Sequence, residues 1–374
     1  KKALPGGALF FMKLLSILDR YICRELILPF LFGIVAFASI FVAADLVYLA
    51  RVAVDVGAPF LRAVELALMK FPQILVYVLP MSALMGVILT VGRMSQNSEL
   101  IAIESSGQSF WRTVRPIIGF GLAVTLFGLF VNDVMAPAAV TRYETLFQQM
   151  VRNKPVPVIK NNVILEEYQG GLLKTLIYAA KFDQTTNTFT NVSYFTFVDG
   201  KPESTTEAEK MVWEDEAWYL ENGRTFYYDD LRTTVMTFAR NTQPLSIVYK
   251  PQDVVLVNKD PSQMGIRELR QRIKLTSGQG NIRDLLIEYH QKISIPFASL
   301  IFVLLGATLA ASSPRSGSAI GFGLSIAIVF VYYVLLTLSS VLGQGGHLPP
   351  ALAAWGQNIV IGAWTLRLAV KRGR

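Results

Sequence analysis

Residues 287–311, IEYHQKISIPFASLIFVLLGATLAA, decide the fold class of this chain. A polar segment that ends at Lys292 is followed by an apolar stretch whose only polar or helix-breaking residues are Ser, Thr and one Pro. About 20 predominantly apolar residues are enough to cross the hydrocarbon core of a membrane as a helix. Two further apolar stretches follow, and three precede a long polar segment rich in Thr, Tyr, Phe and Val. The sequence therefore predicts a soluble domain inserted between two membrane-spanning halves.

The composition favours a membrane protein. Hydrophobic residues make up 52% of the chain and charged residues 17%, and the mean hydropathy is +0.41, whereas an ordinary globular domain has about 25% charged residues. The net charge of +8 comes from Lys and Arg that often flank apolar stretches, which indicates membrane-flanking charge rather than a nucleic-acid surface. The single cysteine, Cys23, excludes an intramolecular disulfide and paired-cysteine metal sites.

The six predicted membrane helices cover residues 26–50, 71–91, 116–134, 293–311, 319–342 and 351–368. Residues 1–11 precede a natural start at Met12 and are left out of this interpretation. Six crossings place both chain ends on the same side of the membrane. Basic residues such as Arg20 and Arg372 flank that side, and positive flanks mark the cytoplasm. We therefore expect cytoplasmic chain ends and an external inserted domain, although two arginines fall in the first external loop.

The inserted segment, residues 151–262, alternates apolar and polar residues in the manner of short strands. The predicted strands cover residues 163–167, 175–182, 192–198, 210–213, 218–220, 224–228, 233–238 and 245–249. The dipeptides Asp199-Gly200 and Asn222-Gly223 are predicted as hairpin turns. Many short strands without intervening helices favour an antiparallel sandwich or a jelly roll.

The aromatic residues of this segment have two interpretations, because they either form the core of the β domain or line an apolar groove for an acyl chain. They are Phe195, Phe197, Trp213, Trp218, Tyr219, Phe226 and Tyr227. Residues 264–276 predict a basic connector helix with Ser262 as N-cap, either at the membrane surface or solvated. The chain thus divides into an N-terminal membrane half (1–150), a β domain (151–262) and a connector with the C-terminal membrane half (263–374).

The sequence contains no constellation typical of catalysis. Both histidines, His290 and His347, lie at predicted membrane edges. The phosphate-binding pattern G-x-x-x-x-G-K-[ST] does not occur, so energy from ATP would have to come from a partner, and we expect neither a metal nor a cofactor in this chain. Charged residues inside the predicted spans are sparse, with Asp45 and Asp133 the clearest, which argues against a proton-coupled carrier.

The loop between the second and third predicted spans contains GRMSQNSELIAIESSGQSFWR at residues 92–112. It predicts a short helix within about residues 95–107, begun by Ser95 or Asn97 and ended by Gly107. Two glutamates of this helix stand among apolar residues. The residues favour two interpretations equally, a helix that docks into a cleft of a soluble protein and an ordinary loop helix.

Four segments carry a resemblance to a known family. They are LDRYICRELILPFLFG (residues 18–33), GRMSQNSELIAIESSG (92–107), HQKISIPFASLIFVLLGATLA (290–310) and LPPALAAWGQNI (348–359). With these motifs, and with its order of three spans, a strand domain and three spans, the chain resembles the LptF/LptG family of permease subunits of the lipopolysaccharide-export ABC transporter. The resemblance extends from Leu18 to the carboxyl end, and in the strand domain it lies in layout more than in motif.

The resemblance implies a protein of the bacterial inner membrane that has no ATPase site of its own. A second permease subunit would complete the membrane core, and a cytoplasmic ATPase subunit would bind ATP. Lipopolysaccharide would enter between spans one and five of opposing subunits and pass through a periplasmic jelly roll to a bridge protein. The alternative is a membrane scaffold that relays the motion of the ATPase to periplasmic partners without conducting lipid. A lined cavity between spans one and five with ordered lipid in it would favour the exporter, and tightly packed helices with no cavity would favour the scaffold.

By motif position, the resemblance also implies a set of residues that contact the ATPase subunit. They are Ser98, Glu99, Leu100, Ala102 and Glu104. Glu99 would be the acidic residue of this coupling helix.

Positive charge near the outer face would suit the phosphates of the lipid. The candidates at about that level are Arg51, Arg62 and Lys70. No motif supports this assignment, and Asp45 in the first span, which would repel phosphate, counts against it.

Overall fold

The structure is a computed structural model that describes residues 16–152, 159–229, 232–245, 247–277, 282–311 and 318–372. The chain forms two compact units. The helical unit contains Lys1–Val151 and Ile287–Arg374, and the β unit is Arg152–Leu286. The helical unit is therefore assembled from both ends of the chain.

The first half of the helical unit begins with a helix of 39 residues, α1 (Ile17–Asp55). The helices that follow are α2 (Phe60–Met69), α3 (Phe71–Gln96), α4 (Glu99–Ser105), α5 (Phe110–Phe130) and α6 (Ala136–Arg152), with a π-helical turn at Val131–Met135. Ser16 caps α1 through a capping box, since its hydroxyl accepts the Asp19 N–H and the Asp19 carboxylate accepts the Ser16 N–H. This cap starts α1 well before the predicted span at residue 26.

The β unit is a six-stranded antiparallel sheet. Its strands are β1 (Ile159–Gln169), β2 (Leu172–Asp183), β3 (Thr188–Val198), β4 (Lys201–Glu214), β5 (Ala217–Asp229) and β6 (Arg232–Arg240). Each strand pairs with its neighbour in the chain, which is the order of a meander rather than the crossed order of a jelly roll. Two short helices follow, α7 (Pro251–Val257) and α8 (Ile266–Thr276). The prediction of an antiparallel β domain is confirmed.

One of the two predicted hairpin turns is correct. Asp199-Gly200 joins β3 to β4 with φ values of 50° and 76°, as a two-residue turn of this kind requires. The prediction for Asn222-Gly223 is wrong, because this dipeptide lies inside β5 and the turn between β4 and β5 falls at Asp215-Glu216, with φ values of 48° and 60°. A Cβ atom at Gly223 would lie 2.5 Å from the ring of Phe238, so this glycine accommodates a ring on the next strand.

The core of the β unit forms around Trp218, which is 1% exposed. Its indole N–H donates to the Tyr249 carbonyl oxygen at 2.7 Å, and its ring centroid lies 5.0 Å from that of Phe189. The core interpretation is therefore confirmed for Trp218, whereas Tyr227 is 45% exposed. The predicted strand at 245–249 is reduced to one bridge, in which the Leu245 N–H donates to the Trp218 carbonyl oxygen at 2.8 Å.

The predicted cap of the connector helix is wrong. The helix α8 begins at Ile266, with Gly265 at the N-cap position and no side-chain hydrogen bond there. Ser262 lies in a separate 3₁₀ turn, Pro261–Gln263, where its N–H donates to the carboxylate of Asp260 at 2.8 Å. Ser262 belongs to this turn and is therefore not available to cap α8, which starts two residues after the predicted position.

The second half of the helical unit consists of α9 (Arg283–Ala311), α10 (Ser318–Gln344) and α11 (Pro350–Arg372). Among the described residues, five helices are long and apolar enough to cross a membrane: Ile17–Asp55, Phe71–Gln96, Phe110–Val151, Arg283–Ala311 and Ile320–Gln344. They contain the first five predicted spans. The sixth prediction falls on α11, a helix of 23 residues, whose polar residues lower its hydropathy.

Two glycines allow α1 and α3 to cross closely. A Cβ atom at Gly33 on α1 would lie 3.0 Å from Cα of Ser82 on α3, and one at Gly86 on α3 would lie 3.1 Å from Cα of Phe30 on α1. Small residues at such crossings let membrane helices approach to backbone contact. The two glycines therefore set the distance between α1 and α3 at this crossing.

A buried carboxylate gives the β unit a testable pH dependence. Glu167 on β1 is 5% exposed and accepts the Val248 N–H at 2.6 Å. Burial raises the pKa of Glu167, and the hydrogen bond from Val248 and the charge of Lys174 offset only part of this. The folded state therefore holds the proton more tightly than the unfolded chain, and stability falls as pH rises from the unfolded pKa through the folded one.

We expect Glu167→Gln to stabilise the β unit at pH 7, on the order of 1 kcal/mol, because the amide keeps an acceptor for Val248 and removes the buried charge. The measure is hydrogen exchange of β1 and β2 between pH 5 and 7.5, corrected for intrinsic rates. The variant should flatten the pH dependence seen in the wild type. Glu166→Gln on the exposed side of the same strand is the control, and an equal change there would contradict the assignment.

Candidate coupling helix and apolar groove

The helix α4 lies in the connection between α3 and α5, where the sequence predicts the coupling helix. It is shorter than predicted, covering Glu99–Ser105. Neither Ser95 nor Asn97 caps it, because Ser98 occupies the N-cap position with φ of 60° and makes no side-chain cap hydrogen bond. An isolated helix of seven residues is unstable in water, so tertiary contacts must hold α4 in place.

Both glutamates of α4 are engaged by side chains from other parts of the helical unit. The Tyr21 hydroxyl donates to Glu99 Oε2 at 2.8 Å, and the Asn97 side-chain amide donates to Glu99 Oε1 at 3.1 Å. Arg372 Nη2 lies 3.1 Å from Glu104 Oε1. The contacts from Tyr21 and Arg372 tie α4 to the beginning of α1 and to the end of α11.

Of the five predicted ATPase-contact residues, Ser98 precedes α4 as its N-cap residue and the other four lie on the helix. Leu100 and Ala102 differ most in exposure. Leu100 is 7% exposed and packs in the main core of the helical unit. Ala102 is exposed, as is the neighbouring Ile101 at 56%. Leu100 therefore anchors the helix, whereas Ile101 and Ala102 present an apolar surface. Ile101 was not among the predicted contact residues.

The glycine predicted to end α4 does so. Gly107 has φ of +85°, and its N–H donates to the Glu104 carbonyl oxygen at 3.0 Å, as in a left-handed helix cap. A Cβ atom there would meet nothing within 4 Å, so the whole cost of a side chain is backbone strain.

We expect Gly107→Ala to cost about 1–2 kcal/mol, because the left-handed conformation crowds a Cβ atom. Hydrogen exchange of the α4 amides should therefore accelerate roughly fivefold or more. Gly92→Ala on α3 is a matched control, since Cβ there also meets nothing within 4 Å and alanine favours a helix. Equal exchange in the two variants would contradict the role of Gly107 as the cap.

The first three turns of α1 make two further ionic contacts at this end of the unit. Arg112 on α5 pairs with Asp19 at 2.5 Å and also donates to the Ser16 hydroxyl. Arg93 on α3 pairs with Glu25. From the sequence, these arginines were interpreted only as membrane-flanking charge. The pairs could not be predicted, because their members lie far apart in the chain.

An apolar groove of about 530 Å³ lies between α1, α3 and α10. Its lining is apolar and aromatic: Phe37, Ile40, Phe41, Tyr77, Met81, Ile326, Val329, Phe330 and Tyr333. The Tyr333 hydroxyl donates to the Tyr77 carbonyl oxygen at 3.0 Å, which joins α10 to α3 at the wall of the groove. The helices are spans one, two and five of the prediction. The entry that the resemblance implies lies between opposing subunits, so it stays a prediction.

The three basic residues predicted for lipid phosphates lie near the end of α1 (Arg51), on α2 (Arg62) and directly after α2 (Lys70). They differ in their side-chain partners. Lys70 Nζ lies 3.1 Å from Asp45 Oδ1 and 5.4 Å from the ring centroid of Tyr143. Arg62 pairs with Glu65 on the same helix at 2.8 Å. Arg51 is exposed and makes no ion pair with any side chain that the structure describes. Asp45 thus neutralises Lys70, which leaves Arg51 as the one of the three basic residues without an ion pair to a described side chain.

One cation that the sequence places at the edge of the fourth predicted span is buried in the structure. Lys292 on α9 is 4% exposed, and its Nζ donates to the Asn132 carbonyl oxygen at 3.3 Å. The Asn132 side-chain amide in turn donates to the Lys292 carbonyl oxygen at 2.9 Å. Asn132 lies in the π-helical turn, so this reciprocal pair joins α9 to the irregular part of the α5–α6 helix.

Five candidate membrane helices, an apolar groove among three of them and an inserted antiparallel sheet are typical of a multi-pass membrane protein. The chain belongs to the LptF/LptG family, because the sequence pattern described as "Lipopolysaccharide export system permease LptF/LptG" matches residues 20–371. The chain is also 23% identical over 363 residues to the "Lipopolysaccharide export system permease protein LptG" of Escherichia coli strain K12, with 92% of this chain and 95% of the relative covered. The LptG protein of Escherichia coli strain CFT073 matches with the same figures.

Family membership makes this chain a lipopolysaccharide-export permease and a multi-pass protein of the inner membrane. The resemblance stated from the sequence motifs is thereby confirmed.

Proposed function

We propose that this chain is a permease subunit of an ABC transporter that extracts lipopolysaccharide, or a related glycolipid, from the inner membrane and passes it to a periplasmic bridge protein. A separate cytoplasmic ATPase subunit supplies the energy. A second permease subunit, either another copy of this chain or a related one, completes the membrane core.

The groove between α1, α3 and α10 carries this proposal. Acyl chains require an apolar surface that is accessible from the membrane, and charged residues inside a membrane mark ion pathways instead. The nine lining residues include no ionisable acid or base other than tyrosine. A scaffold that only relays motion has no need of such a groove, so the groove favours the exporter over the scaffold.

The helix α4 supports the assignment of an ATPase partner. It lies between two spans and is anchored by Leu100, and it presents Ile101 and Ala102 outward. A small apolar surface next to a carboxylate suits a cleft on a soluble protein. The carboxylate of Glu99 keeps lone pairs for a donor from the partner, because a carboxylate accepts about four hydrogen bonds.

The proposed topology places both chain ends and α4 in the cytoplasm and the β unit in the periplasm. The helix α11 is the sixth crossing, since 23 residues extend about 34 Å, enough for the hydrocarbon core. The edge strand β6 exposes Val235 at 51% and Met236 at 59%. An exposed edge accepts a strand from a partner, so we propose that a bridge protein pairs there and completes a jelly-roll-like shell.

The test is reconstitution of the full complex in proteoliposomes with labelled lipopolysaccharide and the soluble bridge protein. We expect ATP-dependent transfer of label to the bridge protein, and photo-crosslinkers placed along the groove should capture the lipid. ATP hydrolysis with no lipid in the groove and no transfer would favour the scaffold and reject the exporter.

A further inference from the structure

The two carboxylates of α4 differ in what their partners can reach. Tyr21, the partner of Glu99, lies on α1, and α1 also contributes Phe37, Ile40 and Phe41 to the groove. Arg372, the partner of Glu104, lies on the last turn of α11, and α11 contributes no residue to that lining. Of these two carboxylates, only Glu99 is therefore hydrogen-bonded to a helix of the groove.

One helix, α1, contains both Tyr21 and Phe37, which lie about 24 Å apart at 1.5 Å per residue. Pro29 lies between them and donates no backbone hydrogen bond, and the Glu25 carbonyl oxygen that this leaves accepts the Thr90 hydroxyl at 3.2 Å. The first turns of α1 and the groove wall therefore belong to one helix, which Thr90 of α3 supports at the proline.

The neighbouring contacts of α1 act on different helices. Asp19 pairs with Arg112 on α5, and Glu25 pairs with Arg93 on α3. These two ion pairs hold the start of α1 against the helices that flank α4, whereas the Tyr21 hydroxyl is bonded to α4 itself. Of these three side chains of α1, only Tyr21 is therefore bonded to α4 rather than to a flanking helix.

We propose that Tyr21 is a positioning residue that transmits the displacement of α4 to α1 and so to the apolar groove. This proposal deepens the proposed function and rests on it. The hydroxyl of Tyr21 is not required for docking, because Ile101 and Ala102 form the outward surface. Its loss uncouples ATP hydrolysis from lipid movement and leaves association of the ATPase subunit intact.

The experiment uses Tyr21→Phe in the reconstituted full complex, because this change removes one oxygen atom and keeps the ring. We expect co-purification of the ATPase subunit to be unchanged and its turnover to stay within twofold, while the lipopolysaccharide transferred per ATP falls about fivefold or more. Tyr48→Phe is the matched control, since Tyr48 lies on the same helix and is 55% exposed. It should change none of the three quantities.

A double variant separates transmission from a merely structural effect. Glu99→Gln weakens the acceptor of the Tyr21 hydroxyl, so if both residues act through one hydrogen bond, Tyr21→Phe combined with Glu99→Gln should transfer no less lipid per ATP than Glu99→Gln alone. A further multiplicative loss overturns the proposal.

Three other results also decide the matter. If Tyr21→Phe transfers as much lipid per ATP as the wild type, the proposal is wrong while the exporter function stands. If the ATPase subunit no longer co-purifies with this variant, Tyr21 belongs to the docking surface and the proposal is wrong. If the wild-type complex transfers no lipid, the proposed function itself fails.

Discussion

Glu99→Lys is expected to abolish lipopolysaccharide export by preventing association with the ATPase subunit. The substitution reverses the charge at the first residue of α4 and removes the acceptor of the Tyr21 hydroxyl. A helix N-terminus carries partial positive charge, so an acidic residue is stabilising there and a lysine is not. Loss of one partner of a hydrogen-bonded interface charge typically costs 2 kcal/mol or more, which corresponds to a decrease in affinity of at least about 30-fold.

The measurement is the dissociation constant of the ATPase subunit from the detergent-solubilised permease, together with export in proteoliposomes. Glu65→Lys is the control, because Glu65 is also a half-buried helix acid with a side-chain partner, Arg62 on α2, but it lies at the other end of the unit. Normal affinity and export in Glu99→Lys would remove α4 from the coupling interface.

Ile326→Glu should reduce lipid export tenfold or more without affecting association of the ATPase subunit. Ile326 lines the groove on α10 and is 43% exposed. A carboxylate there would have to be desolvated when an acyl chain enters, and burial of an unpaired charge costs several kcal/mol. Less lipid should be recovered with the purified protein by mass spectrometry.

Leu122→Glu on α5 controls for the cost of placing a charge in the membrane. Leu122 is 49% exposed and does not line the groove, so both variants pay a comparable insertion penalty. Both should accumulate to similar levels, and only Ile326→Glu should lose bound lipid. Equal export by the two variants would mean that the groove is not the lipid path.

The membrane class and the β domain followed from local properties of the sequence. Hydropathy averaged over about 20 residues found the five helices that meet the criteria for membrane spans, since a helix in lipid must satisfy its own backbone and present apolar side chains. Strand alternation found the sheet in the same way. It misplaced a turn at Asn222-Gly223, because the dipeptide that favours a hairpin is used there for packing against Phe238.

The position of α4, the candidate coupling helix, could also be predicted from the sequence, but its contacts could not. The two glutamates and the capping Gly107 are visible in one short segment, which is why the motif could be placed to within a few residues. The sequence could not show that Glu99 meets Tyr21 and that Glu104 meets Arg372, at separations of 78 and 268 residues. These pairs form because the beginning of α1 and the end of α11 both lie next to α4.

The sequence by itself determined which five segments form helices long and apolar enough to cross a membrane, which segment forms the sheet and which short helix lies between two of those helices. Each of these depends on residues near one another in the chain. Only the tertiary structure decided that spans one, two and five enclose an apolar groove, that Asp45 neutralises Lys70 and that Tyr21 joins α4 to the helix of that groove. These are contacts between distant segments. They depend on how helices cross at small residues such as Gly33 and Gly86. Neither hydropathy nor periodicity predicts where two helices cross.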